Sequence, residues 1–507
     1  MNDTLWIVVF LQIAMGGFDT LYHHELTERL AWRPAQAGEL KLHGVRNLAY
    51  AVMFAALGWT QPHGAWAGVL IVLMVAELII TLWDFVEEDR SRRLSATERV
   101  LHALLTLNYG VVLALLVPVL THWARLPTAV EPVYYGLWNW LCGIAAIGVI
   151  GSGLRDLTAA RRTTRIVASD PAPLAKILKE RHAVLVTGGT GFIGSRLVAA
   201  LIAAGHNVTV LTRLHANAAG LPAPVHIITS LDQVAADAWI DAIVNLAGEP
   251  ISDGLWTRRK RERIVRSRLQ VTHDIVKLIR RLKVRPNVLI SGSAVGWYGL
   301  RGDERLDETS SGLDCFSRDV CMRWETAALA ARASGVRVVC LRTGLVLAAE
   351  GGVLSRMLVP FELGLGGPFG SGRQWVSWVH RDDMVRLIVH AIATPTLSGP
   401  INVTAPTPVT NVAFAAALGR ALGRPAILPI PAAPLRLALG AFAEELLLSG
   451  QCVMPLAALN SNFHFVYADI DKALAAIVGR TPAPAGEAWP RIEADNPFPL
   501  GQGKWLS

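Results

Sequence analysis

The apolar positions of this 507-residue chain follow two regimes. As far as about Gly153 they gather into long runs of Leu, Val, Ile, Ala, Trp and Phe. From about Ala183 onward, short apolar strands alternate with amphipathic stretches, the pattern of an α/β fold. Five early segments approach the roughly 20 apolar residues that cross a bilayer: 5–22, 45–60, 66–85, 100–123 and 134–154. The second is short and contains Arg46 and Asn47, so a count of four stays open. Ahead of the first run, MNDTLW offers an acid and no base, and no small-x-small site follows, so the segment is expected to stay on the chain. A membrane domain followed by a soluble α/β domain is the expectation.

Charge gives the bundle a direction. The net charge of +8 comes partly from arginines beside the apolar runs. With five spans, Arg29, Arg33, Lys41, Arg46, Arg90, Arg92, Arg93, Arg99, Arg155, Arg161, Arg162 and Arg165 fall on one side, against Arg125 on the other. The positive-inside tendency then predicts a multi-pass protein of the cell (inner) membrane, with its N-terminus outside and the soluble domain in the cytoplasm. The cysteines, Cys142, Cys315, Cys321, Cys340 and Cys452, form no CxxC pair, which fits a reducing compartment. No zinc-ligand spacing or RNA-binding motif occurs, so nucleic acid is not an expected partner.

Several ionisable residues fall near the predicted cytoplasmic helix ends: His23, His24, Glu25, His43, Asp84, Glu88, Glu98 and His102, with Glu77 deeper. Glu77, Asp84 and Glu88 share one helix face, and Glu98 and His102 are i, i+4 neighbours. Imidazole and carboxylate together suit a metal ion or a polar head group. The competing reading is that these residues solvate helix ends and pair with arginines. It is preferred because neither ExxH nor HExxH occurs, so no metal ligand is assigned.

The stretch AVLVTGGTGFIGSRLVAALIAAGHNVTVLTR reads as strand, glycine turn, helix, strand. Gly188, Gly191 and Gly194, with Thr190, Phe192 and Ile193 between them, let the backbone approach a pyrophosphate at a helix N-terminus. The second strand ends in Arg213 and no acid follows until Asp232. An arginine there suits a 2′-phosphate, so NADP(H) is the expected cofactor; the alternative is a plain surface arginine.

TGGTGFIG, DAIVNLAGEP, VLISGSAVGWYG, VRVVCLRTGLVL and WVHRDD together resemble the extended short-chain dehydrogenase/reductase superfamily. NLAGEPISDGLWTRRKRERIVRSR, GSGRQWVSWVH, INVTAPTPVTN and AEELLLSGQCVMP narrow the resemblance to its NADP-binding "epimerase family" branch, over residues 183–474. The resemblance implies a Rossmann-like, doubly wound parallel sheet at 183–350 and a smaller C-terminal substrate domain at 351–490, some of whose segments return to the sheet. It implies that Asn245, Leu246, Ala247 and Gly248 line the nicotinamide side. An α-helical membrane bundle of about five spans at 1–165, a linker at 166–182 and a tail at 491–507 complete the expected layout.

In that superfamily a serine or threonine orients the substrate oxygen while a lysine-tuned tyrosine moves the proton. Ser293 matches the serine. Counting back from Glu325, the tyrosine and lysine positions hold Ser317 and Cys321, so the usual dyad is missing. Tyr298 is the first substitute, a catalytic partner for Ser293 unless it is a packing aromatic; Cys321 and His380 follow, each with a structural alternative. The expected function is a membrane-anchored NADP(H)-dependent oxidoreductase or epimerase that acts by hydride transfer on a small, lipophilic substrate, with a homodimer as the family precedent. An NADP(H)-binding sensor without turnover, or transfer of electrons to a metal or quinone in the bundle, are the alternatives.

Overall fold

The computed structural model describes residues 2–92, 94–164, 166 and 170–481. The chain divides into two units, Met1–Val167 and Ala168–Ser507. Arg93, Arg165 and the expected tail lie outside the described residues.

The first unit holds helices α1 (Asp3–Phe18), α2 (Ala37–Trp59), α3 (Ala65–Ser91), α4 (Ala96–Ala124) and α5 (Leu137–Thr163). Beyond Phe18 the chain continues, as a π-helical turn, over Asp19–Glu28. Four segments are long and apolar enough to cross a membrane: Asp3–Trp32, α3, α4 and α5. The helix missing from that set is α2, where Glu39, Lys41, His43 and Arg46 interrupt the apolar run. Strand β1 (Thr60–Pro62) pairs antiparallel with β2 (Val130–Pro132). The α2–α3 and α4–α5 connections therefore meet at one end of the unit, away from the arginine-rich connections. Helices α2 and α5 approach closely because glycine stands at their crossing: a Cβ on Gly44 would lie 2.6 Å from Leu157 Cγ, and one on Gly153 would lie 3.0 Å from the Gly44 carbonyl.

The outward faces of these helices are apolar, with Ile7, Val72, Ile79, Leu107, Ile144 and Ile147 exposed. Part of the interior is polar, beside an apolar cluster that includes Leu5, Met53, Leu70, Leu116 and Trp123. Asp84 accepts from Arg46 (2.7 Å), and Arg92 bridges Glu39 (2.9 Å) and Glu98 (2.7 Å). Glu77 accepts from Tyr50 (2.6 Å) and Thr81 (2.7 Å), and Glu25 pairs with Arg155. Arginine pairing thus holds for several acids, but the acids are buried rather than solvating helix ends.

In the second unit, alternation along each strand feeds two faces. Val184 and Val186 of β3 (Ala183–Thr187) pack with Leu197 and Leu201 of α6 (Gly194–Ala203). Leu185, between them, packs on the other face with residues such as Ile243, Ile275 and Leu289. Strands β4 (Asn207–Leu211), β5 (His226–Ile228) and β6 (Ala242–Asn245) follow, then α7 (Arg258–Arg281), β7 (Val288–Ala294), β8 (Arg305–Leu306), α8 (Phe316–Leu329) and β9 (Arg337–Thr343). The remainder comprises β10 (Leu345–Leu347), α9 (Gly352–Glu362), β11 (Trp375–Val376), β12 (Trp378–His380), α10 (Arg381–Ala393), β13 (Gly399–Val403), β14 (Val409–Thr410), α11 (Asn411–Leu422), α12 (Ala432–Leu439) and α13 (Ala441–Leu446).

The seven-stranded parallel sheet has the order β13-β9-β7-β6-β3-β4-β5. Strand order reverses at β3, and the crevice beyond the carboxyl ends of β3 and β6 is where such folds take a ligand. β13 is the C-terminal segment that returns to the sheet edge. The expected linker is corrected in part: Ala175 and Leu178 are buried in the core beside α6, because PAPLAKIL carries enough apolar surface to pack.

Candidate nucleotide and substrate cavity

The turn after β3 is shaped by glycine. Gly188 has φ +71°, and a Cβ there would lie 2.7 Å from the Leu246 carbonyl carbon. A Cβ on Gly194 would overlap the Gly188 carbonyl oxygen, so α6 can start this close to the strand only without a side chain. The N-cap position of α6, Ile193, makes no side-chain cap. The turn opens onto a cavity of about 590 Å³ whose wall includes Gly188, Gly191, Phe192, Ile193, Gly194, Leu246 and Gly248. Thr190 is exposed on the same turn and outside the wall. The glycines of the turn thus line a cavity, as a pyrophosphate cradle at a helix N-terminus would.

Asn245 and Ala247, expected on the nicotinamide side, are not in the wall. The Asn245 side chain is fully buried, accepting from Thr187 Oγ1 (2.7 Å) and donating to Thr272 Oγ1 (2.9 Å). That clamp ties β3 to α7 and leaves Leu246 and Gly248 to face the cavity. Arg213 lies just past the end of β4, exposed at the sheet's carboxyl edge. The Lys260 ammonium, with weaker fields from Arg263 and Arg213, holds Glu249 below the ordinary carboxylate range. Arg213 thus belongs to a positively charged rim.

Ser293, near the end of β7, lines the cavity. Its hydroxyl donates to Glu325 Oε1 (2.7 Å), and Arg342 of β9 grips both oxygens of Glu325 (3.0 and 3.1 Å). Tyr298 is corrected as the partner of Ser293. The turn after β7 carries it inward onto Leu306 and Val453, where it is fully buried, and it is absent from the cavity wall. Its hydroxyl donates to Asn402 Oδ1 (2.6 Å) and accepts from Arg342 (3.3 Å), and burial pushes its pKa up to about 12. A phenol with both hydrogen-bonding roles engaged in the core has none left for a substrate.

The two dyad positions do reach the wall. Ser317 donates to Glu445 Oε2 (2.6 Å), which also accepts the Ser317 N–H (2.9 Å), capping the start of α8. Cys321 points its thiol at the Ala294 carbonyl (3.7 Å), and burial raises its pKa to about 11, so it is an inert thiol. His380 is absent from the wall. It caps α10 by accepting from the Asp382 N–H (3.1 Å), rather than bonding Asp383, and stacks on Tyr467 at 3.7 Å. Burial lowers its pKa to about 4.

Sequence reasoning passed over three groups: Glu325, used only as a register mark, Glu445, and Arg268. Arg268 lies in the cavity wall beside Trp324, 5.0 Å from guanidinium to ring, and donates to the Glu249 (2.9 Å) and Ile264 (3.1 Å) carbonyls. The four-residue spacing of Ser317, Cys321 and Glu325 was the available signal for Glu325, since it sets all three on one helix face.

Sheet order, glycine turn and a ligand crevice at the switch point define a Rossmann-type nucleotide-binding protein. The sequence agrees: the NAD dependent epimerase/dehydratase family matches residues 184–403, and a domain of unknown function, DUF1731, matches 430–477. The chain belongs to the epimerase family. It is 40% identical over 299 residues to an epimerase family protein of Mycobacterium bovis, covering 57% of this chain and 96% of that one. To the human epimerase family protein SDR39U1 it is 37% identical, over 58% of this chain and 99% of the relative. The crystal structure of human SDR39U1 (isoform 2) with NADPH superposes with a TM-score of 0.54, at 35% identity, covering 59% of this chain and all of that one.

Proposed function

We propose that the second unit is an NADPH-dependent oxidoreductase or epimerase in which Ser293 and Glu325 replace the missing tyrosine and lysine. The glycine cradle, the uncapped start of α6 and the positive rim at Arg213 fit a dinucleotide with a 2′-phosphate, in line with the NADPH of the human relative. When bound, that cofactor supplies or takes a hydride at its nicotinamide. The chain's own residues position the substrate and move the proton. Because the Ser293 O–H points at Glu325, the lone pairs of Oγ are left for a substrate hydroxyl, whose proton can pass through Ser293 to the carboxylate. In the reverse direction the same pair returns it. Arg342 fixes the carboxylate rather than touching substrate.

The observation that carries this reading is that Ser293, in the cavity wall, donates to Glu325, which lies behind the wall. The apolar wall, with Phe192, Val320, Met357, Phe369, Phe414 and Phe442, supports a small lipophilic substrate. The first unit then anchors the enzyme. Its apolar outward faces support a multi-pass membrane domain, and with the 23-residue α2 counted as a fifth span the arginines favour an N-terminus outside and the second unit in the cytoplasm.

The test is NADPH oxidation by the purified chain with lipophilic carbonyls, quinones and membrane extract. Ser293→Ala and Glu325→Gln are expected to lower kcat by roughly 100-fold or more while NADPH still binds. Tyr298→Phe is expected to stay within roughly 3-fold of the parent in kcat, since its ring is held in the core. Loss of turnover in Tyr298→Phe with Ser293→Ala intact would reverse the assignment. Tight NADPH binding without turnover on any fraction would favour the sensor. Arg213→Ala is expected to cut the preference for NADPH over NADH by roughly 10-fold or more, read by cofactor titration.

A further inference from the structure

The first unit brings carboxylate and imidazole groups from two elements together at one buried point. Asp19 and His24 lie on the π-helical turn Asp19–Glu28, whose wider winding brings positions five apart onto one face; an ordinary α-helix would set them well apart. His102 reaches the same point from α4, with Nε2 3.2 Å from Asp19 Oδ2. His24 Nε2 stands 3.4 Å from the same oxygen. Two donors bound to one first-row metal ion at about 2.1 Å stand about 3.0 to 3.5 Å apart, so both separations fit a shared ion.

The surroundings are those of a supported ligand set. His23 Nδ1 holds the other oxygen of Asp19 (2.8 Å), and Glu88 Oε2 lies 3.5 Å from the second nitrogen of His102. A carboxylate behind a ligating histidine fixes its ring and its tautomer. His43 stacks on His24, with ring centroids 4.6 Å apart, and pairs through its own Nε2 with Asp84 Oδ2 at 3.0 Å. His24 Nε2, on a residue 6% exposed, is buried without a hydrogen-bond partner and faces the Asp19 carboxylate. A buried polar atom left without a hydrogen bond is costly unless something joins it.

We propose that Asp19, His24 and His102 bind a divalent first-row transition-metal ion within the helical unit, with His43 and Glu88 completing its surroundings. Two histidines and one carboxylate that leave open positions suit iron(II), and equally admit manganese, cobalt or zinc. The ligands come from two elements, and their spacing in sequence has no ExxH or HExxH form, because the π turn and not an α-helical repeat brings them together. The site is separate from the cavity of the second unit, and its failure would leave the Ser293–Glu325 assignment untouched.

The untagged full-length chain, purified in detergent, is loaded anaerobically with Fe²⁺, Mn²⁺, Co²⁺ or Zn²⁺, desalted and measured for metal and protein. The expected result is about one ion per chain, retained by His122→Gln, an exposed control, and reduced at least roughly fivefold in His24→Gln and His102→Asn. Cobalt should give ligand-field absorption bands that Zn²⁺ displaces. Because the variants can disturb the bundle, the cobalt spectrum of the parent protein decides independently. A folded parent chain that keeps less than about a tenth of an ion with every metal, or shows no cobalt bands, overturns the proposal. Parent-like loading in both histidine variants does the same.

Discussion

Glu39 and Glu77 in the first unit are as deeply buried as Val186 and Leu197 in the second, while Ile147 and Leu107 in the first are 73% and 70% exposed. The two units differ in how much charge they bury and how much apolar surface they expose. In the second, apolar alternation fills both faces of the sheet, and its buried charges form compact units such as Glu325–Arg342. In the first, acids, histidines and arginines form a buried network beside an apolar cluster that includes Leu5, Leu70, Leu116 and Trp123, and further apolar side chains cover the outside. The exposed apolar coat of the first unit is what the proposed membrane domain requires, and the apolar core of the second is what water requires.

The largest expected effect probes the second unit's buried charge. Arg342→Met leaves Glu325 buried and unpaired and is expected to lower stability by about 3–5 kcal/mol, read from the urea midpoint by pulse proteolysis of the second unit. Next comes the outer coat. Ile147→Lys is expected to cost about 2.5–3.5 kcal/mol in an insertion assay if that position faces lipid. The matching change in the second unit, Ile427→Lys at a position 75% exposed, is expected to stay within about 0.5 kcal/mol by the urea measurement. Equal tolerance at both positions would break the comparison and count against the proposed membrane domain.

The third effect is a pH dependence. With its pKa depressed to about 4, His380 stays neutral in the folded unit but protonates near 6.5 once unfolded. Its contribution is therefore complete above pH 6.5 and is lost as pH falls toward 4, amounting to about 3 kcal/mol. His380→Asn keeps a capping acceptor and is expected to flatten that slope in urea midpoints measured from pH 7.5 to 4. The smallest effect belongs to Tyr298→Phe, expected to cost about 1–2 kcal/mol because Asn402 and Arg342 each lose a partner.

Much of the second unit was legible because its signals are local. The strand–glycine–helix order of 183–211 and the span of the family resemblance needed no knowledge of long-range contacts. The catalytic side was less legible: Tyr298 stands the right distance from Ser293 in sequence, but the turn after β7 and its bonds to Asn402, 104 positions away, decide where its phenol points. Asn245 misled for the same reason, since the bonds to Thr187 and Thr272 turn its side chain away from the cavity. In the first unit, hydropathy placed the helices, but not the π turn that aligns Asp19 with His24. That distortion has no sequence spacing of its own.

The carboxylate of Glu445 lies in the segment matched by the C-terminal domain of unknown function, yet it caps α8, which belongs to the nucleotide-binding half. It works as a latch between two blocks of sequence. A displacement of α13 that carried Glu445 with it would strip α8 of the acceptor for its Phe316 and Ser317 N–H groups, so the cap that one sequence block lends the other is a single carboxylate.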